Sequence, residues 1–125
     1  MQSTSVDEPA LLIRIAKLYD QRMTPEALYE ATRGVWRVGD KRERVSYAFA
    51  VAQGLVREVF PVMQWHPAGS TPYRTRPRED VRLAGRWEFT GAVAPDVVRD
   101  EYLGKSVAHY FSRGNSNPVL YVNVD

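Results

Sequence analysis

The chain has 125 residues, of which 44% are hydrophobic and 26% are charged, a balance typical of one globular domain. Its formal net charge of +2 is mildly basic, which permits a nucleic-acid partner without requiring one. The lack of cysteine excludes disulfides, thiolate catalysis and cysteine-ligated zinc, and two histidines are too few for a histidine-rich metal site. We therefore predict no metal and no cofactor.

The N-terminal segment 1–9 is polar and acidic, without the hydrophobic core of a signal peptide. No apolar run in the sequence is long enough to span a membrane. The sequence therefore predicts a flexible N-terminal tail over 1–9, one domain over 10–125, a cytoplasmic location and no membrane partner.

The first predicted elements are a strand and a helix. Apolar residues alternate over 11–15, which predicts a strand, although 16–19 could instead begin a helix. Thr24 can cap a helix and Pro25 suits its first position. Gly34 is the expected end of this helix, since glycine can adopt positive φ.

A pair of strands over 45–51 and 55–65 comes next. Gln53 and Gly54 between them are a hairpin signal. Pro61 cannot donate a ladder hydrogen bond, so it indicates a sheet edge or a bulge in the second strand.

A long loop is predicted from His66 to Gly85. Loops of this length in small domains are usually functional or mobile. It holds Glu79 and Asp80, and most of the basic excess lies in and next to it, at Arg74, Arg76, Arg78, Arg82 and Arg86. We expect this loop to close over a ligand.

The C-terminal third completes the predicted fold. Its elements are, in order, a strand over 86–91, a helix from Ala94 to Gly104, a helical turn within 106–111, a polar turn over 113–118 and a closing strand over 119–122. The two helices fall outside a regular βαβ alternation. The fold class is therefore α+β, with a small curved, mainly antiparallel sheet or a barrel.

Motifs for catalysis are weak. Gly104, Lys105 and Ser106 resemble the end of a P-loop, but Arg99 stands where the first glycine is needed and a helix precedes the string. A helix end with a capping serine is the simpler interpretation. His66 could be a general base, yet no nucleophile motif accompanies it. We therefore name no catalytic residue.

Aromatic and basic residues are interleaved along the chain. Basic groups neutralise phosphates and flat rings stack on bases. The alternative, tryptophans in the core and arginines on the surface, stays open. The groups are Trp36 with Arg33 and Arg37, Trp65 and Tyr73 with Arg74 and Arg76, and Trp87 with Arg86.

Several strings resemble an uncharacterised bacterial domain family over nearly the whole chain. They are 30–36, 47–51, Gly54, Val59, Trp65, 104–107 and Asn117-Pro118. More distantly, the layout resembles the PUA-like superfamily, which includes the EVE, ASCH and YTH domains. That resemblance implies a small mixed β-barrel with helices at its openings. It also implies a nucleic-acid reader, in several branches with an aromatic and polar pocket for a modified base.

The leading hypothesis is a non-enzymatic module that binds DNA, RNA or a nucleotide-like ligand and reads a modified or unpaired base in an aromatic pocket. The residues expected to contact the nucleic-acid backbone are Arg33, Arg37, Arg74 and Arg76. Trp36 and Trp65 are expected to stack on a base, with Tyr73 as a further aromatic group of the site. The pocket edge is expected to be formed by Lys105, Ser106 and Asn117. Two alternatives remain. One is a small enzyme acting on a nucleotide or nucleic acid, with His66 and either Glu88 or Asp80 as acid and base. The other is a protein-interaction module that forms a homodimer through an edge near Pro61.

Overall fold

The computed structural model describes residues 2–111, 114 and 116–125. The strands are β1 (Ala10–Arg14), β2 (Tyr47–Ala52), β3 (Leu55–Pro67), β4 (Trp87–Gly91) and β5 (Val119–Val122). The helices are α1 (Pro25–Arg33), α2 (Arg78–Val81) and α3 (Asp96–Tyr102), with 3₁₀ turns at Asp40–Arg44 and Ala108–Tyr110. The polar turn predicted over 113–118 lies partly outside the described residues.

The strands form one sheet in the order β4-β3-β2-β1-β5, and this sheet does not close. Three neighbouring pairs are antiparallel, and β1 pairs with β2 in parallel. The α+β class with a mainly antiparallel sheet is therefore confirmed. The connection from β1 through α1 to β2 is nevertheless a βαβ unit, because parallel neighbours need a crossover. The third helix, α2, is a four-residue turn inside the predicted long loop.

Helix α1 begins as predicted. The Thr24 side chain accepts a hydrogen bond from Ala27 N at 3.0 Å, and Pro25 occupies the first turn. The helix ends at Gly34, but with φ near −170°, an extended conformation open to any residue. Glycine is needed here for space, since an added Cβ would lie 2.4 Å from Tyr73 Oη and 3.0 Å from Glu88 Cβ. No helix among the described residues has the length and apolar character needed to cross a membrane.

The β2–β3 hairpin turns where expected. Gln53 and Gly54 have φ values of 55° and 78°, as a two-residue type I′ turn requires. Strand β3 pairs with β2 over 55–61 and with β4 over 62–67. Pro61 thus lies where β3 changes partner, on an inner strand of the sheet. On the side away from β2, this half of β3 is bonded through Val56 to Gly104 and Lys105 and through Val59 to Ala94. Register shifts occur between Ala50 and Val51 of β2 and between Val62 and Gln64 of β3. Dimerisation near Pro61 stays a prediction.

Both faces of the central strands are buried. Leu11, Ile13 and Ala48 belong to one apolar cluster, whereas Leu12 and Phe49 belong to another. Side chains alternate across a strand, so β1 and β2 lie between two layers of packing. This explains why the two strands read as nearly continuous apolar runs.

The N-terminal segment covers one of these faces, in contrast to the flexible tail predicted over 1–9. Val6 is 4% exposed and packs in the cluster that contains Leu12 and Phe49. Its backbone N–H donates to the Tyr110 hydroxyl at 2.8 Å, and Asp7 N–H donates to the Tyr102 hydroxyl at 3.1 Å. The composition of this segment did not predict its packing, because the hydrogen bonds that hold it come mostly from backbone groups, which every residue type carries.

Candidate functional site

A buried carboxylate, Glu88 on β4, organises the segment that follows β3. Its oxygens accept hydrogen bonds from Gly69 N at 2.7 Å, Thr71 N at 2.9 Å and the Tyr73 hydroxyl at 3.1 Å. Arg33 Nη1 lies 3.7 Å from Glu88 Oε2, and both side chains are almost fully buried. Burial raises the pKa of the Tyr73 hydroxyl above its ordinary value. The charge of Arg33 opposes this shift and that of Glu88 adds to it, and the hydroxyl keeps its proton and donates to Glu88.

Both terminal nitrogens of Arg33 donate hydrogen bonds in this network, whereas its buried Nε has no partner among the described residues. Arg33 is 3% exposed and donates to Pro72 O at 2.6 Å and to Thr71 Oγ1 at 2.7 Å. Its guanidinium lies 3.8 Å from the centre of the Tyr73 ring. Arg33 and Tyr73 therefore hold the fold together. This corrects the expectation that Arg33 contacts a nucleic-acid backbone and that Tyr73 is free to take part in an aromatic pocket.

A second buried carboxylate, Glu30 on α1, holds the next part of the loop. It accepts from Arg74 N at 2.9 Å, Thr75 N at 2.7 Å and Thr75 Oγ1 at 2.6 Å. Burial alone would raise the pKa of Glu30, but these hydrogen bonds and nearby Arg33 bring it below its ordinary value. The loop is therefore fastened to both α1 and β4, and the expected freedom to close over a ligand is not present over 69–75.

A groove of about 580 Å³ lies between the end of β1, residues 35–36 and the α2 region. We call it the basic groove. Among the described residues, its charged lining is four cations and one carboxylate, and its apolar lining includes an indole. These residues are Arg14, Lys17, Arg76, Arg86, Asp80, Val35, Trp36 and Leu83.

Two residues of the basic groove are held in place by backbone carbonyls. Trp36 is half-buried, and its Nε1 donates to Thr32 O at 2.7 Å. Arg76 Nη1 donates to Glu30 O at 3.0 Å and to Gly34 O. The indole ring and this guanidinium are thus oriented before any ligand arrives.

The remaining cations of the groove differ in their partners. Arg14 donates to Asn117 O and lies 4.6 Å from the centre of the Phe111 ring. Lys17 and Arg86 form no ion pair within the described parts of the chain. These two charges are therefore available to an anionic ligand.

Trp65 does not reach the groove. It is 8% exposed, its Nε1 donates to Arg42 O at 2.8 Å, and its ring meets that of Phe89 edge-on at 5.4 Å. Trp65 is a core residue, which corrects the expectation that it stacks on a base. The alternative, that a tryptophan near basic residues belongs to the core, is correct for Trp65.

The other predicted site residues are dispersed. Arg37 is exposed but does not line the basic groove, and Arg74 is exposed and lies 3.8 Å from Glu26. Asn117 lies between two residues that line the groove and binds Arg14.

Lys105 and Ser106 lie on another part of the surface. The backbone of Ser106 bonds with Gln2 and Thr4 of the N-terminal segment, and its Oγ accepts from Ala108 N at 3.3 Å. This matches a serine that caps a short turn. Neither Lys105 nor Ser106 lines the basic groove, so the structure does not bring them to the edge of this site.

His66 and Glu88, two acid–base candidates of the enzyme hypothesis, are register partners across β3 and β4, but no hydrogen bond or ion pair joins their side chains in the described part of the chain. His66 Nε2 lies 3.1 Å from Thr90 Oγ1, and the Glu88 oxygens are occupied by the loop. Asp80 lies in the basic groove. Burial lowers the pKa of Arg76 below its ordinary value, and the charge of Asp80 partly opposes this shift. Over residues 2–111, 114 and 116–125, no three carboxylate or imidazole side chains converge as metal ligands would.

Comparison of the chain with protein-family models, with curated proteins and with solved structures finds no match. The candidate site is therefore defined by the geometry of the basic groove. That geometry adds Arg14, Lys17 and Leu83 to the residues that the sequence suggested. No spacing rule could have found them, because they come together only when the end of β1 meets the segment after α2.

Proposed function

We propose that the chain is a non-enzymatic module that binds nucleic acid in the basic groove, with an unpaired or modified base against Trp36. The observation that carries this proposal is the surplus of cations around a half-buried indole, four against one carboxylate among the described lining residues. Phosphates of the ligand would meet Lys17, Arg76 and Arg86.

The physical basis is the match between the groove and one nucleotide unit. Stacking of a base on an aromatic ring contributes about 1–3 kcal/mol, whatever the base. Small-molecule sites commonly enclose about 300–1,000 Å³, and the groove holds about 580 Å³. Trp36 and Arg76 are already held by hydrogen bonds, which reduces the ordering cost of binding.

The resemblance to PUA-like readers supports the same proposal from the sequence side. We propose a cytoplasmic role and a PUA-like relationship as parts of this interpretation. The open sheet places the groove beside the end of β1, whereas the resemblance implies a barrel mouth.

The proposal is tested with the double variant Lys17→Ala/Arg86→Ala, titrated against a labelled single-stranded oligonucleotide by fluorescence anisotropy. Loss of two phosphate-facing charges should weaken binding about tenfold or more and lower the salt slope by about 1–2 units. The matched control is Lys41→Ala/Arg44→Ala, which removes the same two residue types from the 3₁₀ turn at Asp40–Arg44, outside the groove.

The control variant should bind nearly as the wild type does, apart from a small change in overall attraction. If both variants lose the same amount of affinity for the oligonucleotide, the loss reflects net charge alone and specific binding in the groove is refuted. Absence of any oligonucleotide binding by the wild type would end the proposal.

A further inference from the structure

A second cavity lies next to the basic groove and shares Arg76 with it. This cavity, which we call the loop cavity, measures about 370 Å³ and is lined by the backbone and side chains of 69–73 together with Arg76, Arg78 and Val81. Arg76 lines both cavities. The two spaces are therefore neighbours that share one lining residue.

Arg76 is suited to serve both cavities at once. A guanidinium carries five N–H donors. Nη1 alone makes the bonds to Glu30 O and Gly34 O that anchor the side chain. Nε and Nη2 donate no hydrogen bond within the described part of the chain, so these groups can donate to an anion while the side chain stays in place.

The wall of the loop cavity is rigid. Gly69 N and Thr71 N are bound to Glu88, and Pro72 O is bound to Arg33. Because these wall donors are already used, the attraction of the loop cavity for an anion comes from its two arginines. Arg78 is exposed and forms no ion pair among the described residues, although Glu79 is its neighbour in sequence, so it can pair with a second phosphate.

We propose that the two cavities form one track for a single strand of nucleic acid, with successive phosphates at Arg76 and Arg78. This inference rests on the proposed function and goes further, since it names the ligand as a strand of two or more nucleotides and not a free mononucleotide. Charge complementarity favours it, because Arg78 extends the cationic lining away from Trp36.

The test measures affinity for thymidine monophosphate and for a single-stranded thymidine tetranucleotide, by calorimetry or competition anisotropy. Wild-type protein should bind the tetranucleotide about tenfold or more tightly than the monophosphate, because added phosphate contacts raise affinity. Arg78→Ala should weaken tetranucleotide binding about fivefold and leave monophosphate binding unchanged. Arg44→Ala, an exposed arginine that lines neither cavity, is the control and should change neither affinity.

The outcomes separate the two proposals. If the monophosphate binds and the tetranucleotide gains nothing, or if Arg78→Ala leaves the tetranucleotide unaffected, the groove stands and the track is refuted. If Arg78→Ala weakens both ligands equally, Arg78 belongs to the groove and the track is also refuted. If neither ligand binds the wild type, both proposals fail.

Discussion

Arginines have opposite environments in two adjoining regions of this protein. In the network below the loop, Arg33 is buried, paired with Glu88 and bonded to two loop residues. In the basic groove, Arg86 is half-exposed and has no ion pair among the described residues. Arg33 lies three residues before Trp36 and Arg86 lies directly before Trp87, so nearness to a tryptophan in the sequence does not separate a buried arginine from a groove arginine.

The difference lies in what each guanidinium already contacts. A buried charge that is already paired with a carboxylate is not available to pair with a ligand. A charge that remains hydrated and unpaired can exchange counterions for phosphates. Arg76 is intermediate, since its Nη1 anchors the loop while the residue also lines both cavities.

Of the substitutions considered, removal of Arg33 should lower the stability of the fold most. Arg33→Ala leaves the Glu88 carboxylate buried without its counter-ion, and loss of one partner of a buried pair costs about 3–5 kcal/mol. Unfolding in urea, followed by tryptophan fluorescence, measures the change. Arg74→Ala, which removes an exposed arginine paired with Glu26, should cost at most about 1 kcal/mol. Similar losses in the two variants would show that Arg33 is no more structural than a surface residue.

Gly34→Ala should disturb the same junction more mildly. The new methyl group would lie 2.4 Å from Tyr73 Oη and 3.0 Å from Glu88 Cβ, so Tyr73 must move and weaken its bond to Glu88. Overpacking of this kind costs about 1–3 kcal/mol. Gly39→Ala is the matched control, since nothing lies within 4 Å of its added Cβ and its φ is negative. Thermal unfolding of the two variants should differ by several degrees, and equal melting temperatures would contradict the close approach at Gly34.

The smallest expected effect concerns pH and the second carboxylate. The pKa of Glu30 is lowered in the folded state, so its stabilising effect is present above the unfolded pKa and is lost as pH falls through the folded pKa. Glu30→Gln should therefore be less stable than wild type at pH 7 by about 1 kcal/mol, because the amide accepts fewer bonds from Arg74 and Thr75.

Urea unfolding of wild type and Glu30→Gln between pH 7 and pH 3 checks this sign. The gap should narrow below the ordinary carboxyl pKa of 4.5 as the wild-type side chain takes up its proton. A gap that stays constant down to pH 3 would mean that the charge on Glu30 does not hold the loop.

Local signals in the sequence located the elements well. Thr24 and Pro25 mark the start of α1, and the Gln53-Gly54 turn joins β2 to β3 as predicted. These features depend on backbone preferences of one or two residues, which act without the rest of the fold. The parallel pairing of β1 with β2 left no such mark, because pairing partners are chosen by packing across the whole sheet.

The candidate site was predictable only in part. Trp36 and Arg76 were identified from the interleaving of basic and aromatic residues, and both line the basic groove. The same pattern also selected Arg33 and Trp65, which the structure buries. Adjacency along the chain does not report which side of a strand or helix will face the core once the layers assemble.

The sequence by itself determined an α+β chain without thiol chemistry, the ends of its main helix and hairpin, and a concentration of arginines after β3. Only the tertiary structure decided which arginines are bound to Glu88 and which face the groove. The physical reason is that composition and local propensity act residue by residue. Burial and ion pairing, by contrast, depend on segments far apart in the chain, such as the end of β1 and the turn after α2, meeting in space.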